Sequence, residues 1–114
     1  MLRVERPQLS AALGVALAVW QQAVNNGDIN GDPWKQFHSQ DTPTKNAVLD
    51  ALRTMFHGKC AYCETQDADE IEHFWPKSSH SHNHFRGTPQ YMFVWENLLL
   101  ACHKCTGFAC KGSR

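Results

Sequence analysis

Residues 58–63 read GKCAYC and residues 95–105 read WENLLLACHKC, and each stretch ends in a Cys-x-x-Cys pair. One such pair alone is compatible with either a metal site or a redox site. Two pairs together supply the four thiolates of a tetrahedral zinc site, so the sequence predicts that one structural zinc ion joins the two stretches. The predicted ligands are Cys60, Cys63, Cys102 and Cys105.

The length and composition of the chain indicate one small domain. The chain has 114 residues, 42% of them apolar, and a formal net charge of zero. Residues 1–72 carry a formal charge of −4 and residues 73–114 a charge of +4, so the second half is the basic one. We expect residues 1–57 to form a helical lead-in and residues 58–114 to form the zinc-bearing core. The five cysteines are an odd number, which argues against a secreted disulfide scaffold.

The N-terminal region has some features of a secretory leader. Arg3 and Arg6 precede an apolar run over residues 11–20, but Glu5 interrupts the basic region and a helical pattern continues beyond the run. The run is also shorter than the roughly 20 residues that span a bilayer. We therefore predict no leader, no membrane partner and a cytoplasmic location.

Two amphipathic helices are predicted in the first half. Pro7 suits the first turn of a helix over about residues 8–24, whose apolar residues recur at helical spacing. The lack of Lys and Arg on its polar face favours a packing helix over a membrane-surface helix. A second helix is expected to begin with Thr42 or Thr44 as its cap and to end near His57, before Gly58. Its apolar stripe is Val48, Leu49, Leu52, Met55 and Phe56.

Residues 25–43, between these helices, are rich in Asn, Gly, Asp and Pro and predict a loop. Trp34 and Phe37 are expected to tuck the loop onto the core, and His38 is expected to face solvent. An alternation of acid and amide side chains resembles part of a calcium loop, but the downstream glutamate of an EF-hand is missing. The alternating residues are Asp28, Asn30 and Asp32.

A polar insertion separates the two cysteine pairs. Residues 71–74 predict a short strand that Pro76 ends, and the loop over residues 78–90 carries three alternating histidines that are more typical of a solvated loop than of a metal site. Residues 91–95 are apolar and β-prone, residues 97–101 predict an extended run into the second pair, and a helical turn is expected after it. The three histidines are His80, His82 and His84.

Four motifs together resemble the HNH endonucleases, which have a ββα-metal fold. They are KCAYCE at 59–64, IEHFWPKS at 71–78, WENLLLAC at 95–102 and CHKC at 102–105. Within that superfamily they are most similar to the compact HNH proteins of bacterial retron- and Septu-type anti-phage systems. The resemblance implies an α+β fold in which N-terminal helices pack on a zinc-stapled ββα-metal element.

The resemblance also implies the roles of individual residues. His73 corresponds to the general base that activates water, and Glu72 to the acidic residue that binds a catalytic Mg²⁺ or Mn²⁺ ion. Asn97 corresponds to the asparagine that ties down the connecting loop and orients the histidine. Because neighbouring residues on a strand point to opposite faces, Glu72 and His73 can share a site only where the strand bends or ends.

One departure from the family pattern concerns the second ligand of the catalytic metal. The family usually has Asn or His after the last cysteine, where this chain has Thr106. A hydroxyl is a poorer ligand than an amide oxygen or an imidazole, and His103 is a candidate substitute. Cys110 has no partner in the motif and is expected to be a buried free thiol. The chain ends soon after the motif, which indicates a truncated or minimal version of such proteins.

The predicted function is metal-dependent hydrolysis of DNA phosphodiester bonds in anti-phage defence. RNA is an alternative target, because histidine–metal chemistry does not distinguish the two sugars. The resemblance further implies a partner, either an ATPase or another defence-system component. The competing hypothesis is a zinc-binding module for nucleic acid or protein whose catalytic metal site has decayed.

Overall fold

A computed structural model describes residues 4–75 and 89–106. In these residues helix α1 spans Ala11–Asn26, α2 spans Pro33–Gln40 and α3 spans Thr42–Phe56. Strands β1, Glu70–His73, and β2, Leu98–Ala101, precede a short helix α4, His103–Thr106, and 3₁₀ turns occupy Pro89–Tyr91 and Trp95–Asn97. The chain is therefore α+β, with three N-terminal helices followed by a strand–strand–helix unit.

Helix α1 packs against α3 and the turn at Pro89–Tyr91, as expected for a packing helix. It begins later than the sequence predicts because Ser10, rather than the region of Pro7, is the cap, with its Oγ accepting from the N–H of Leu13 at 3.3 Å. It ends at Gly27, whose φ of 72° allows its N–H to bond the last carbonyls of the helix.

Helix α2 corrects the prediction of an unbroken loop over residues 25–43. Asp32 caps it by accepting from the N–H groups of Trp34 and Lys35, and Pro33 occupies the first turn. Asp and Pro therefore mark the start of a helix here instead of a turn. Trp34 and Phe37, three residues apart, are both buried against the core, as predicted for those two side chains.

Helix α3 has the predicted extent, and all five residues of its predicted apolar stripe are buried. Its cap is Asp41 instead of Thr42 or Thr44. The Asp41 carboxylate also accepts a 2.9 Å hydrogen bond from the indole N–H of Trp20, so one side chain connects α1 to the junction of α2 and α3. These hydrogen bonds hold the pKa of Asp41 below its usual value, and the bond from Trp20 has the largest effect.

Strands β1 and β2 form an antiparallel pair in which Glu70 lies opposite Ala101 and His73 opposite Leu98. All four residues of β2 are buried, which explains why its sequence is continuously apolar instead of alternating. Residues 91–95, expected to be β-prone, form no strand. Their backbone turns instead, and the N–H of Phe93 donates to the side-chain oxygen of Gln21 in α1 at 2.7 Å.

Candidate metal centre and adjoining cavity

The turn that carries the first cysteine pair is hydrogen-bonded to β2. The N–H of Ala61 donates to the carbonyl of Leu100 at 2.8 Å, and the N–H of Cys60 donates to Thr65 at 2.9 Å. Cys60 and Ala61 are fully buried. The turn closes through Glu64, which adopts a left-handed conformation with φ of 64° and donates its N–H to the carbonyl of Cys60. These bonds place both sulfurs of the first pair beside the end of β2.

The four predicted ligands converge on one point. Their Sγ atoms all lie within 4.8 Å of one another, and those of Cys63 and Cys102 are 3.6 Å apart. A tetrahedron with Zn–S bonds of about 2.3 Å has sulfurs about 3.8 Å apart, so the spacing fits a zinc ion. The predicted joining of the two pairs is confirmed: four cysteines are positioned to hold a metal ion. Because zinc binds thiolates, the site belongs to the reduced protein.

Hydrogen bonds prepare one of these thiols for metal binding. The hydroxyl and backbone N–H of Thr65 lower the pKa of Cys63 to about 7, and the hydroxyl oxygen lies 3.0 Å from the sulfur. Burial instead raises the pKa of Cys102. Cys63 therefore forms a thiolate near neutral pH more readily than Cys102 does.

His73 is the last residue of β1 and is buried, with 5% of its surface exposed. Its Nε2 lies 2.9 Å from the carbonyl oxygen of Met92. Because a carbonyl only accepts, Nε2 carries the proton and the lone pair of the neutral ring lies on Nδ1. The ring stands edge-on to Trp34, with centroids 4.3 Å apart, so a backbone bond and an aromatic contact both fix its orientation.

Glu72 lies on the same cavity as His73, although the two residues are neighbours on a strand. Its Oε1 accepts from the backbone N–H of His73 at 2.8 Å, which turns the carboxylate toward its neighbour. Because β1 ends at His73, both residues line one cavity of about 420 Å³. The condition set by strand geometry is thus met at the end of the strand.

Asn97 is buried directly before β2 and bonds the segments on either side of the insertion. Its side-chain oxygen accepts from the N–H of Trp75 at 2.7 Å. Its amide nitrogen donates to the carbonyls of Trp75 and Tyr91, at 3.2 and 3.0 Å. Its own carbonyl accepts from Phe74 at 2.9 Å. Asn97 therefore holds in place the chain that leaves His73.

The two residues considered as a further catalytic-metal ligand lie on α4. His103 is largely exposed, and its Nδ1 lies 2.9 Å from a carboxylate oxygen of Glu70, at the opposite end of β1 from His73. Thr106 is the last residue of α4, and its side chain is outside what the structure describes. Within residues 4–75 and 89–106, the four cysteines form the one group of at least three His, Cys, Asp or Glu side chains close enough to share an ion. The predictions for Cys110 and for His80, His82 and His84 fall outside those ranges.

Three residues of the cavity were missed as site residues by the sequence analysis. Trp34 and His38 come from α2 and Lys45 from α3, and all three line the cavity with Glu72 and His73. His38 was expected to face solvent but is half-buried. His38 follows the buried Trp34 by four residues. This spacing indicates that the two side chains lie on the same face only once residues 33–40 are known to be helical.

The structure thus defines an α+β protein with a four-cysteine metal centre beside a cavity that holds a carboxylate and an oriented imidazole. None of the helices in the described ranges is long and apolar enough to cross a membrane. The chain is 38% identical over 68 residues to Septu protein PtuB of Bacillus mycoides (strain KBAB4). The matched part is 52% of this chain and 23% of that relative, so the chain spans about a quarter of the relative's length. No known family profile matches the chain. No solved structure matches it either.

Proposed function

We propose that this chain is a metal-dependent endonuclease of the HNH type that hydrolyses DNA phosphodiester bonds in anti-phage defence. The observation that carries the proposal is the oriented imidazole of His73, whose Nε2–H is held by the Met92 carbonyl beside Glu72. The β1–β2–α4 unit and the four converging cysteines, two of which lie in the turn before β1, support the assignment of a zinc-stapled ββα-metal element. The likeness to Septu protein PtuB supports the defence role.

In the proposed reaction Nδ1 of His73 accepts a proton from the attacking water, since its Nε2 proton is already committed to Met92. Hydrogen bonding to a carbonyl stabilises the imidazolium that results. Asn97 acts indirectly by fixing Trp75 and Tyr91 around the base. The Glu72 carboxylate offers the hard oxygen ligand that Mg²⁺ or Mn²⁺ prefers, and such an ion would neutralise the charge that develops on the phosphate.

The biological setting is proposed on the same basis. A protein of this type would act in the cytoplasm on invading DNA, together with an ATPase or another component of a defence system. RNA is the alternative substrate, because nothing in the described cavity selects a deoxyribose.

The test is plasmid nicking by the reduced, zinc-loaded protein with Mg²⁺ or Mn²⁺. His73→Gln keeps an amide N–H near the position of Nε2 that can donate to Met92 but cannot accept the proton of water, so we expect nicking to fall about 10²–10⁴-fold. His57→Asn is the control, because His57 is exposed and its left-handed φ of 56° is tolerated by asparagine. Equal nicking by wild type and His73→Gln would refute His73 as the base.

A second candidate function is a zinc-dependent module that binds nucleic acid or protein without cutting it. The observation that favours it is Thr106 at the position where the HNH pattern has a metal ligand, with His103 engaged by Glu70. This candidate predicts a wild-type protein that is inert with every divalent metal but still binds zinc and its target. A binding assay on the same preparation, compared with the nicking result, separates the two functions.

A further inference from the structure

Three exposed aromatic side chains form a surface that we call the aromatic rim. Phe74, Trp75 and Tyr91 expose 45%, 46% and 41% of their surface. In the part of the chain that the structure describes, every other Phe, Trp or Tyr is buried or half-buried. The other large apolar side chains with such exposure there, Val15 and Val19, belong to α1. Apolar rings grouped at one place on a protein surface mark a binding site.

Hydrogen bonds join the two segments of the aromatic rim and place them beside the candidate base. The amide nitrogen of Asn97 donates to the carbonyl oxygens of both Trp75 and Tyr91, at 3.2 and 3.0 Å. Trp75 follows His73 by two residues. Tyr91 directly precedes Met92, whose carbonyl oxygen lies 2.9 Å from Nε2 of His73. The bond that orients the imidazole therefore has a residue of the rim close to each of its ends.

The side chain of Trp75 is exposed on a backbone that is fixed in place. The N–H of Trp75 donates to the side-chain oxygen of Asn97 at 2.7 Å, and its carbonyl accepts from the amide nitrogen of the same residue. These bonds use only main-chain atoms of Trp75, so they do not engage the indole. The ring of Phe74 meets the indole edge to face, with centroids 5.3 Å apart. A ring that is held in this way loses little conformational freedom when a ligand stacks on it.

Charge favours nucleic acid as the partner of the aromatic rim. Residues 73–114 carry a formal charge of +4, and residues 76–88, which follow Trp75 in the chain, include Lys77 and Arg86 but no Asp or Glu. Basic residues combined with exposed aromatic rings suit single-stranded nucleic acid, because cations contact its phosphates and rings stack on its bases. In a duplex the faces of each base are covered by the neighbouring base pairs. A stacking ring therefore needs a base that is unpaired.

We propose that the aromatic rim stacks on unpaired bases of the DNA substrate next to the bond that is cut, with Trp75 making the main contact. This inference rests on the proposed nuclease function. It narrows the substrate to DNA that is single-stranded or locally unpaired at the point of cleavage. Because every base has a face on which a ring can stack, binding should depend little on the base sequence.

The test compares two strands that carry the same phosphates. One is a fluorescein-labelled single-stranded oligothymidylate, and the other is a strand of equal length with abasic tetrahydrofuran sites in place of the bases. Binding to the reduced, zinc-loaded protein is measured by fluorescence anisotropy without added Mg²⁺ or Mn²⁺, so that neither strand is cut. We expect the wild type to bind the oligothymidylate about 5–100-fold more tightly than the abasic strand.

Variants of Trp75 test whether this preference comes from the rim. Trp75→Leu removes the ring and retains the main-chain bonds to Asn97. It should weaken binding of the oligothymidylate about 5–100-fold and leave binding of the abasic strand unchanged. Trp75→Phe keeps an aromatic face and should recover part of the difference. Val19→Ser, a change of an exposed apolar side chain on α1, is the matched control and should bind both strands as the wild type does.

The possible outcomes separate this inference from the proposed function. A loss confined to the oligothymidylate, at an unchanged Tm, supports stacking on Trp75. Equal losses on both strands, or no loss on either, would overturn the inference. A wild type without preference for bases would overturn it too and would leave the rim to a protein partner. Plasmid nicking by the same preparation is measured in parallel. Nicking without a preference for bases refutes only the role of the rim, whereas an inert protein that still prefers bases refutes only the nuclease function.

Discussion

Replacing Asn97 by alanine should destabilise the protein strongly, because this side chain is 4% exposed and makes three hydrogen bonds to the backbone. At about 1 kcal/mol each, these bonds predict a loss of roughly 3 kcal/mol. Part of that loss comes from the N–H and carbonyl of Trp75 and the carbonyl of Tyr91, which lose their side-chain partner. In a domain of this size, roughly 3 kcal/mol corresponds to a fall in Tm on the order of 10–20 °C.

The assay is chemical and thermal unfolding of the reduced, zinc-loaded protein. Asn46→Ala is the matched control, since Asn46 is exposed on α3, and it should change stability by no more than about 0.5 kcal/mol. Asn97→Asp keeps the acceptor for Trp75 but turns a carboxylate toward two carbonyl oxygens. We expect it to be at least as destabilising as Asn97→Ala at neutral pH and to recover in part when acid protonates it. A loss below about 1 kcal/mol for Asn97→Ala would refute the role inferred for these bonds.

Two further perturbations test the metal centre and the helix junction. Under reducing conditions the protein should contain about one zinc ion per chain, and a chelator should lower its Tm. Cys60→Ser should abolish the zinc binding that metal analysis measures. Retention of one full zinc ion by this variant would contradict the four-sulfur site. Asp41→Ala should cost about 1–2 kcal/mol at neutral pH through the lost cap and the lost Trp20 bond. Because the pKa of Asp41 is lowered in the fold, its contribution is present above the usual value of 3.8 and disappears as the pH falls through the lower folded value. An unfolding series from pH 7 to pH 2 should therefore show the difference between wild type and Asp41→Ala shrinking in acid, and a constant difference would be evidence against an ionised cap.

The parts of the fold that were predicted correctly are those with a strong local signal. The stripe from Val48 to Phe56 repeats at helical spacing over about two and a half turns, and it is buried as expected. Helix α2 was missed because its eight residues are too short for a clear period and begin with Asp32 and Pro33, which equally mark turns. Residues 91–95 were misjudged for a related reason: apolar, β-prone side chains indicate burial, but Phe93 bonds Gln21 instead of a neighbouring strand.

The residues of the candidate site also differ in how far the sequence points to them. His73, Glu72 and Asn97 stand in recognisable motifs, and the structure shows how their bonds orient them. Trp34 and His38 carry no motif, because their relevance depends on α2 packing beside β1. No spacing rule connects residue 38 to residue 73.

The sequence by itself determined the metal centre. The two residues between the cysteines of each pair allow both sulfurs to bind the same ion. Two such pairs supply four thiolates for one zinc ion, and this does not depend on the conformation of the chain between the pairs. Tertiary structure alone decided which side chains surround the imidazole of His73. That arrangement joins residues from α2, α3 and β1 through contacts that form only when buried aromatic rings such as Trp34 and Phe93 pack together. Local patterns specify local chelation, whereas the walls of a cavity depend on packing between segments far apart in the chain.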